Sequence, residues 1–321
     1  MRQKEGGVYQ ISKQIEKDLA SRSNGLSKPQ RIGLADIAAS VLACGSVNTT
    51  ELSSILPREV KDQESSFRYI HRWLSNDKID PQSVMRDSNQ ELMELLSIRG
   101  QTLILMLDQS KIADGFELLM VSIRTKERAI PVLWEVIETQ GEIGFDVQEP
   151  LLREVAKRIP KRTPVILMAD RFYGTPALVR LCKELQLGYR IRLKSNLTLL
   201  HEDTPLSGVD MGVLKLHALE HVLLCGKVLT NVGYLHEPGH EEPWIIAMDA
   251  KPTRHRVLDY GLRWGIESMF SDLKSRGFKL TDTRLKTAKR LSRLLLVLTT
   301  AMMWAVSTGW VEHSVEPVKK S

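Results

Sequence analysis

Thr102–Asp108 reads TLILMLD, a continuous apolar run closed by an acid. A short run of this kind, flanked by polar residues, predicts a strand packed on both faces of a sheet. Two more strands are predicted directly after it, Phe116–Arg124 (FELLMVSIR) and Ala129–Ile137 (AIPVLWEVI), with turn signals at Asp114-Gly115 and around Lys126–Arg128. Connections this short make the three strands an antiparallel meander. A helix follows in EPLLREVAKRIP (149–160), with Pro150 expected near its first turn and Pro160 at its end. Thr163–Asp170, TPVILMAD, is a second fully apolar strand ending in an acid, and after a turn at Gly174 come the helix PALVRLCKELQLG (176–188) and the strand YRIRLKS (189–195). The order is three strands, helix, strand, helix, strand, which predicts a mixed α/β sheet with flanking helices.

On the N-terminal side, residues 1–98 read as all-helical. Leu34–Ala43 (LADIAASVLA) has small and apolar residues at helical spacing, Gly45 breaks it, TTELSSIL (49–56) restarts with a threonine cap, and Pro57 stops it. DQESSFRYIHRWLSN (62–76) puts Phe67, Ile70 and Leu74 on one side and the basic Arg68, His71 and Arg72 elsewhere. Short helices with a basic last member are either a helix-turn-helix, which would make Arg68 and Arg72 DNA contacts, or a plain helical cluster. On the C-terminal side, residues 197–249 lose helical period and contain the strand-like HVLLCGKVLTNVGYL (221–235) and PWIIAMD (243–249). They read as a β-rich insertion.

The composition, 42% hydrophobic and 26% charged over 321 residues, is that of a globular chain of two or three domains. Three cysteines, Cys44, Cys182 and Cys225, lack metal-ligand spacing and fit buried thiols in a reducing, cytoplasmic compartment. The longest apolar run, Leu294–Val306, is shorter than the ~20 residues that cross a bilayer, so it reads as a core helix with no membrane partner. The net charge is +6, and between Arg254 and Arg293 eleven Lys/Arg face four Asp/Glu, so this segment alone carries +7 and the remainder is near neutral. That concentration favours an anionic partner.

Within the basic segment, DYGLRWGIESMFSDLKSRG (259–277) places Tyr260, Arg263, Glu267 and Lys274 within about 60° of one another at 100° per residue. Leu258, Leu262, Ile266, Met269, Phe270 and Leu273 gather on the adjoining arc expected to face the core. By itself the stripe is also compatible with a solvated face carrying an Arg263–Glu267 pair. Asp108 and Asp170, each closing an apolar strand, change the balance. Carboxylates at strand ends line the crevices where ligands bind, and with Glu267 they supply three hard oxygen donors from separated segments.

Asp108…Asp170…Glu267, with Tyr260-x2-Arg263-x3-Glu267-x6-Lys274 and the contexts LMLDQS and MADRFYG, resembles the DDE transposases of bacterial insertion sequences, in particular the group with a Tyr-Arg-Glu-Lys signature. The resemblance covers roughly residues 100–290. It implies a ribonuclease H-like catalytic core in two parts (99–196 and 250–307), an all-β insertion (197–249), an N-terminal helical DNA-binding domain (1–98) and a tail (308–321). It implies that Asp108, Asp170 and Glu267 hold two Mg²⁺ (or Mn²⁺) ions, Asp108 as the bridging ligand, and that Tyr260, Arg263 and Lys274 hold phosphates beside the scissile bond. Its partners would be DNA, both terminal inverted repeats and target DNA, and a second copy of the chain in a homodimer at the bacterial nucleoid. Trp264, beside the charged stripe, either stacks on an unpaired base or packs at the helix edge, and Trp244 is its rival for stacking. Arg284, Lys286, Lys289, Arg290 and Arg293 form a basic string that either contacts DNA phosphates or is a solvated face. A related nuclease without strand transfer and a catalytically silent DNA-binding regulator are the alternatives. HExxH, GxSxG and Walker-type loops are absent from the sequence, and His236–Glu242 (HEPGHEE) reads as a hairpin turn.

Overall fold

The computed structural model describes residues 6–315 apart from 23, 24, 60, 127, 203, 207–215 and 237–241. The predicted turn within 236–242 therefore falls mostly outside the described residues.

The three-strand meander forms as β1 (Leu103–Ala113), β2 (Phe116–Thr125) and β3 (Arg128–Glu138), followed by α7 (Phe145–Ala156), β4 (Val165–Ala169), α8 (Pro176–Glu184) and β5 (Gly188–Arg192). Ahead of them, among the described residues, lie the α-helices α1 (Gly7–Ala20), α2 (Lys28–Cys44), α3 (Thr49–Ile55), α4 (Gln63–Leu74), α5 (Pro81–Val84) and α6 (Arg86–Leu96). After β5 come β6 (Leu199–His201), β7 (Thr204–Pro205), β8 (His217–Leu224), β9 (Val228–Leu235), β10 (Trp244–Met248), α9 (Arg254–Leu258), α10 (Gly265–Ser271) and α11 (Ala288–Val315).

Among the described residues, ten strands form one sheet in the order β3-β2-β1-β4-β5-β10-β9-β8-β6-β7. β1, β4 and β5 are parallel to one another, β2 is antiparallel to β1, and β3 is antiparallel to β2. This is the mixed α/β sheet with flanking helices expected of a ribonuclease H-like core. The β-rich stretch expected as an insertion prolongs this sheet, because β10 pairs antiparallel with β5 (Ala247 opposite Ile191) and the β8–β9 hairpin adds to it. Two boundaries also move. Strand β1 does not end at Asp108 but runs to Ala113, and α7 starts at Phe145, so that Pro150 lies inside the helix instead of in its first turn.

The pleat decides which residues can reach the site. In a strand successive side chains point to opposite faces. Leu103, Leu105 and Leu107 of β1, with Leu167 and Ala169 of β4, join the apolar cluster that contains Leu151 and Leu152 of α7 and Leu178 and Leu181 of α8. Ile104, Met106 and Ile112 of β1 and Ile166 and Met168 of β4 join the cluster of α10 and α11. Asp108, Ser110 and Asp170 share the parity of this second set, so they belong to the face that α10 covers.

The N-terminal helices share that second cluster: Leu34, Ile37, Ala38 and Val41 of α2 and Ile70 and Leu74 of α4 are buried with Leu291, Leu294 and Leu298 of α11. Helix α2 is buried along Gly33–Val41, and Gly33 has a specific reason to be glycine, since a Cβ there would sit 2.4 Å from the Trp73 ring. Polar contacts reinforce this join. Arg293 is buried and donates to the carbonyls of Ile79 (3.1 Å) and Leu74 (3.0 Å) and to Asp77 (2.6 Å). Arg290 donates to the His71 carbonyl at 3.4 Å and meets its Nδ1 at 3.2 Å. Both belong to the string expected to meet DNA; instead their guanidinium groups are spent on the helical region, because α11 packs against α4 there. Within α11, Ala288–Thr308 is long and apolar enough to cross a membrane, and 56% of its most apolar stretch is buried inside this fold.

Candidate active site

β1 pairs with β4 from Leu103 opposite Val165 to Leu107 opposite Ala169, where β4 ends and β1 continues alone against β2. The next residue on each strand is an aspartate. Asp108 and Asp170 are therefore side by side, about 5 Å apart in the strand-to-strand direction, at the mouth of the crevice that opens where the parallel pairing stops.

Their surroundings hold them firmly. Asp108 accepts the Gln109 N–H on Oδ1 at 2.9 Å and the Arg263 guanidinium on Oδ2 at 2.9 Å. Asp170 accepts the Phe172 N–H on Oδ1 at 2.8 Å, and the Tyr173 N–H donates to the Asp170 carbonyl at 3.1 Å, closing a tight turn. Gly174 completes this turn under the β5 backbone, where a Cβ would come within 2.6 Å of the Arg192 carbonyl oxygen. Burial pushes the Asp108 carboxyl up to about 6; Arg263 pulls against that shift and the neighbouring Asp170 charge adds to it.

The signature segment is not one regular helix. Asp259–Trp264 is a 3₁₀ turn, Gly265–Ser271 is α-helical, and Asp272–Arg276 widens into a π turn. Side chains three apart eclipse in a 3₁₀ turn. Arg263 accordingly sits above Tyr260, 5.8 Å from its ring centroid, and Glu267 follows on the same side one α-helical turn later. The turn is anchored to the sheet by Arg124, which donates to the Leu262 carbonyl at 2.9 Å.

These changes of pitch redirect the stripe. Tyr260 and Arg263 do not flank the packed layer; they are buried, at 2% and 7% exposure. Arg263 gives one arm to Asp108 and the other to Glu267. Burial opposes its charge, but Tyr260, Asp108 and Glu267 together raise its pKa above the ordinary arginine value. Tyr260 packs edge-on against Trp244 at 5.4 Å, and burial first of all pushes its phenol up to about 12. Lys274 donates to Ser110 Oγ at 2.8 Å, two residues along β1 from Asp108. Leu258, expected to face the core, is exposed instead.

Three carboxylates were expected to meet as one ligand set. The structure brings Asp108 and Asp170 together and joins Glu267 to them through the guanidinium of Arg263. Among the described residues, no group of three or more His, Cys, Asp or Glu is gathered closely enough to hold a metal ion. The donor chemistry nevertheless suits a hard divalent cation: two carboxylates crowd a buried crevice in which Arg263 already supplies positive charge.

Of the remaining expected contacts, Trp264 is 54% exposed and free to stack, whereas Trp244 is occupied by Tyr260. Arg284, Lys286 and Lys289 are exposed on the surface. Arg72 is exposed on α4, and Arg68 is exposed there while paired with Glu64 at 2.9 Å. A groove of about 720 Å³ adjoins the site, lined by Lys111, Lys274, Thr283, Arg284 and Lys286 among others. Lys111, paired with Asp114 at 3.1 Å, escaped the sequence reading, because three residues after Asp108 it has the opposite strand parity and its spacing gave no signal.

Residues 145–304 match the family model described as the transposase DDE domain. The match spans Asp170, Tyr260, Arg263, Glu267 and Lys274 but starts after Asp108, which the β1–β4 register brings to Asp170. No curated protein matches the chain.

Proposed function

With a transposase DDE domain as the premise, we propose that this chain cuts DNA at the ends of a mobile element and joins the freed 3′-OH ends to target DNA, using divalent cations held by Asp108, Asp170 and Glu267. The observation that carries the reading is the register that sets Asp108 beside Asp170 under an arginine which also grips Glu267.

A pair of Mg²⁺ or Mn²⁺ ions would supply charge stabilisation for the attacking and leaving oxygens of phosphodiester transfer. Asp108 and Asp170 are the residues to hold them, with Glu267 joining once Arg263 releases it. Arg263 neutralises the crevice before DNA arrives, and its two-armed fork suits a backbone phosphate as well as it suits two carboxylates. Lys274, on the rim of the groove beside Ser110, steers the strand toward Asp108, and Lys111, Arg284 and Lys286 continue the positive track along the groove. Trp264, exposed beside Arg263, offers a face to an unpaired base. A homodimer would let each copy act on one end of the element.

The test is incubation of the purified chain with Mg²⁺ and labelled DNA carrying the terminal inverted repeats of its element. New 3′-OH ends joined to target DNA are the expected result. Cutting without joining would reduce the activity to that of a nuclease, and a band shift without cutting would make the chain a regulator.

A further inference from the structure

Most cations around the site already face a carboxylate: Arg263 grips Asp108 and Glu267, Lys111 pairs with Asp114 at 3.1 Å, and Arg276 pairs with Asp272 at 3.6 Å. Lys274 differs. It is half-buried, and among the described residues no carboxylate lies within ion-pair distance of its ammonium; the group that holds it is the hydroxyl of Ser110, at 2.8 Å. A hydroxyl accepts an N–H without cancelling the charge behind it, and the ammonium keeps two further hydrogens to give.

The backbone under Lys274 is fixed without help from the serine. The π turn Asp272–Arg276 closes where the Gly277 and Phe278 N–H groups both donate to the Asp272 carbonyl, at 3.0 and 2.9 Å, and a Cβ on Gly277 would lie 2.5 Å from that oxygen. Leu273, next in the chain to Lys274, is buried and anchors the turn. The lysine side chain is another matter, since its flexible four-carbon stem gives it one of the largest rotamer entropies of any residue. Ser110 removes that freedom. It stands two residues past Asp108 on β1, about 7 Å along the strand and on the same face, so the bond sets the ammonium at a fixed place relative to the aspartate.

We propose that Ser110 is a positioning residue for the DNA strand: its hydroxyl aims the Lys274 ammonium at the groove beside Asp108 and leaves the whole charge to a backbone phosphate. The inference rests on the DNA-cleavage reading above. It separates two properties that a free lysine would combine. Attraction of the strand belongs to the Lys274 charge, and placement of the phosphate next to the aspartates belongs to Ser110.

The experiment compares Ser110→Ala, Lys274→Met, the double variant and Ser110→Thr in the full chain. DNA binding is measured over a range of salt concentrations, cutting is measured at saturating DNA with Mg²⁺, and the melting temperature is recorded. Ser110→Ala is expected to melt as the wild type does, to keep its salt slope and to bind DNA within about threefold of it, because the charge stays, yet to cut about tenfold more slowly. Lys274→Met is expected to lose rate and also about one unit of salt slope, the share of one phosphate contact. Removing the serine hydroxyl from Lys274→Met is expected to slow cutting no further, since the hydroxyl acts only through the ammonium. Ser110→Thr, which keeps the hydroxyl, is expected to recover most of the rate. Cutting by Ser110→Ala within about twofold of wild type overturns the inference and leaves the cleavage reading standing, and so does an equal loss of about tenfold when Ser110→Ala is added to Lys274→Met. A wild-type chain that shifts DNA without cutting it overturns the cleavage reading and this inference together.

Discussion

Asp108→Asn is expected to cut DNA at least about a thousand-fold more slowly than the wild type while still binding DNA and folding. The amide keeps the volume and the acceptor for the Gln109 N–H, while Arg263 loses its acceptor on Asp108 and keeps Glu267, so the β1 backbone geometry survives. It removes the one negative charge that faces both Asp170 and Arg263. Cation-assisted stabilisation of the phosphoryl transition state would supply several kcal/mol, and each 1.4 kcal/mol is about tenfold in rate, so losing one of the carboxylates that would hold the cations costs about three decades or more. A cleavage assay on labelled ends, paired with a binding assay, checks it. Cutting within tenfold of wild type would remove Asp108 from the chemistry.

Arg263→Ala is expected to have the largest effect on stability of any change in the site. The Arg263–Asp108 pair is largely buried, with side-chain exposures of 8% and 16%, and deleting one partner of such a pair costs about 3–5 kcal/mol because the other is left as an uncompensated buried charge. Glu267 is 54% exposed and returns to water, so it adds little to the loss. The variant also separates two roles of the arginine. Mn²⁺ should raise the melting temperature of Arg263→Ala more than that of the wild type, since the added cation takes over the charge that the guanidinium supplied. Thermal melts with and without Mn²⁺ measure both effects; a variant as stable as wild type, with no larger response to Mn²⁺, would show that Arg263 does not neutralise the crevice.

What could be read from the residues was whatever depends on period and on local breaks. The runs ending at Asp108 and Asp170 were legible as buried strands because both of their faces are packed, against α7 and α8 on one side and α10 and α11 on the other. Pairing partners were harder. Nothing in His221–Leu235 says that its hairpin joins the main sheet, because that depends on β10 finding the free edge of β5. The end of β1 was misplaced for a related reason: past Asp108 the strand is supported by β2 alone and runs through the polar Gln109, Ser110 and Lys111, which resembles a turn when read without its partner.

Spacing shows which side chains of the signature segment fall near one another but not which way they turn. A wheel of 100° per residue brought Tyr260, Arg263 and Glu267 to one side, but it assumes one pitch, and this segment passes through three. Spacing also cannot show whether an arginine turns inward or outward. Arg263 turns in to two carboxylates, Arg290 and Arg293 turn in to the α4 region, and Arg284 stays exposed, although all four stand in the same basic segment.

Iron-directed cleavage of the polypeptide tests the central claim most directly. Fe²⁺ takes the place of Mg²⁺ at carboxylate sites, and with peroxide and ascorbate it cuts the chain close to wherever it is bound. The protein–DNA complex is expected to yield fragments ending near Asp108, Asp170 and Glu267, and excess Mg²⁺ is expected to suppress all three. Cutting that is absent from these positions, or that Mg²⁺ does not suppress, would contradict the account.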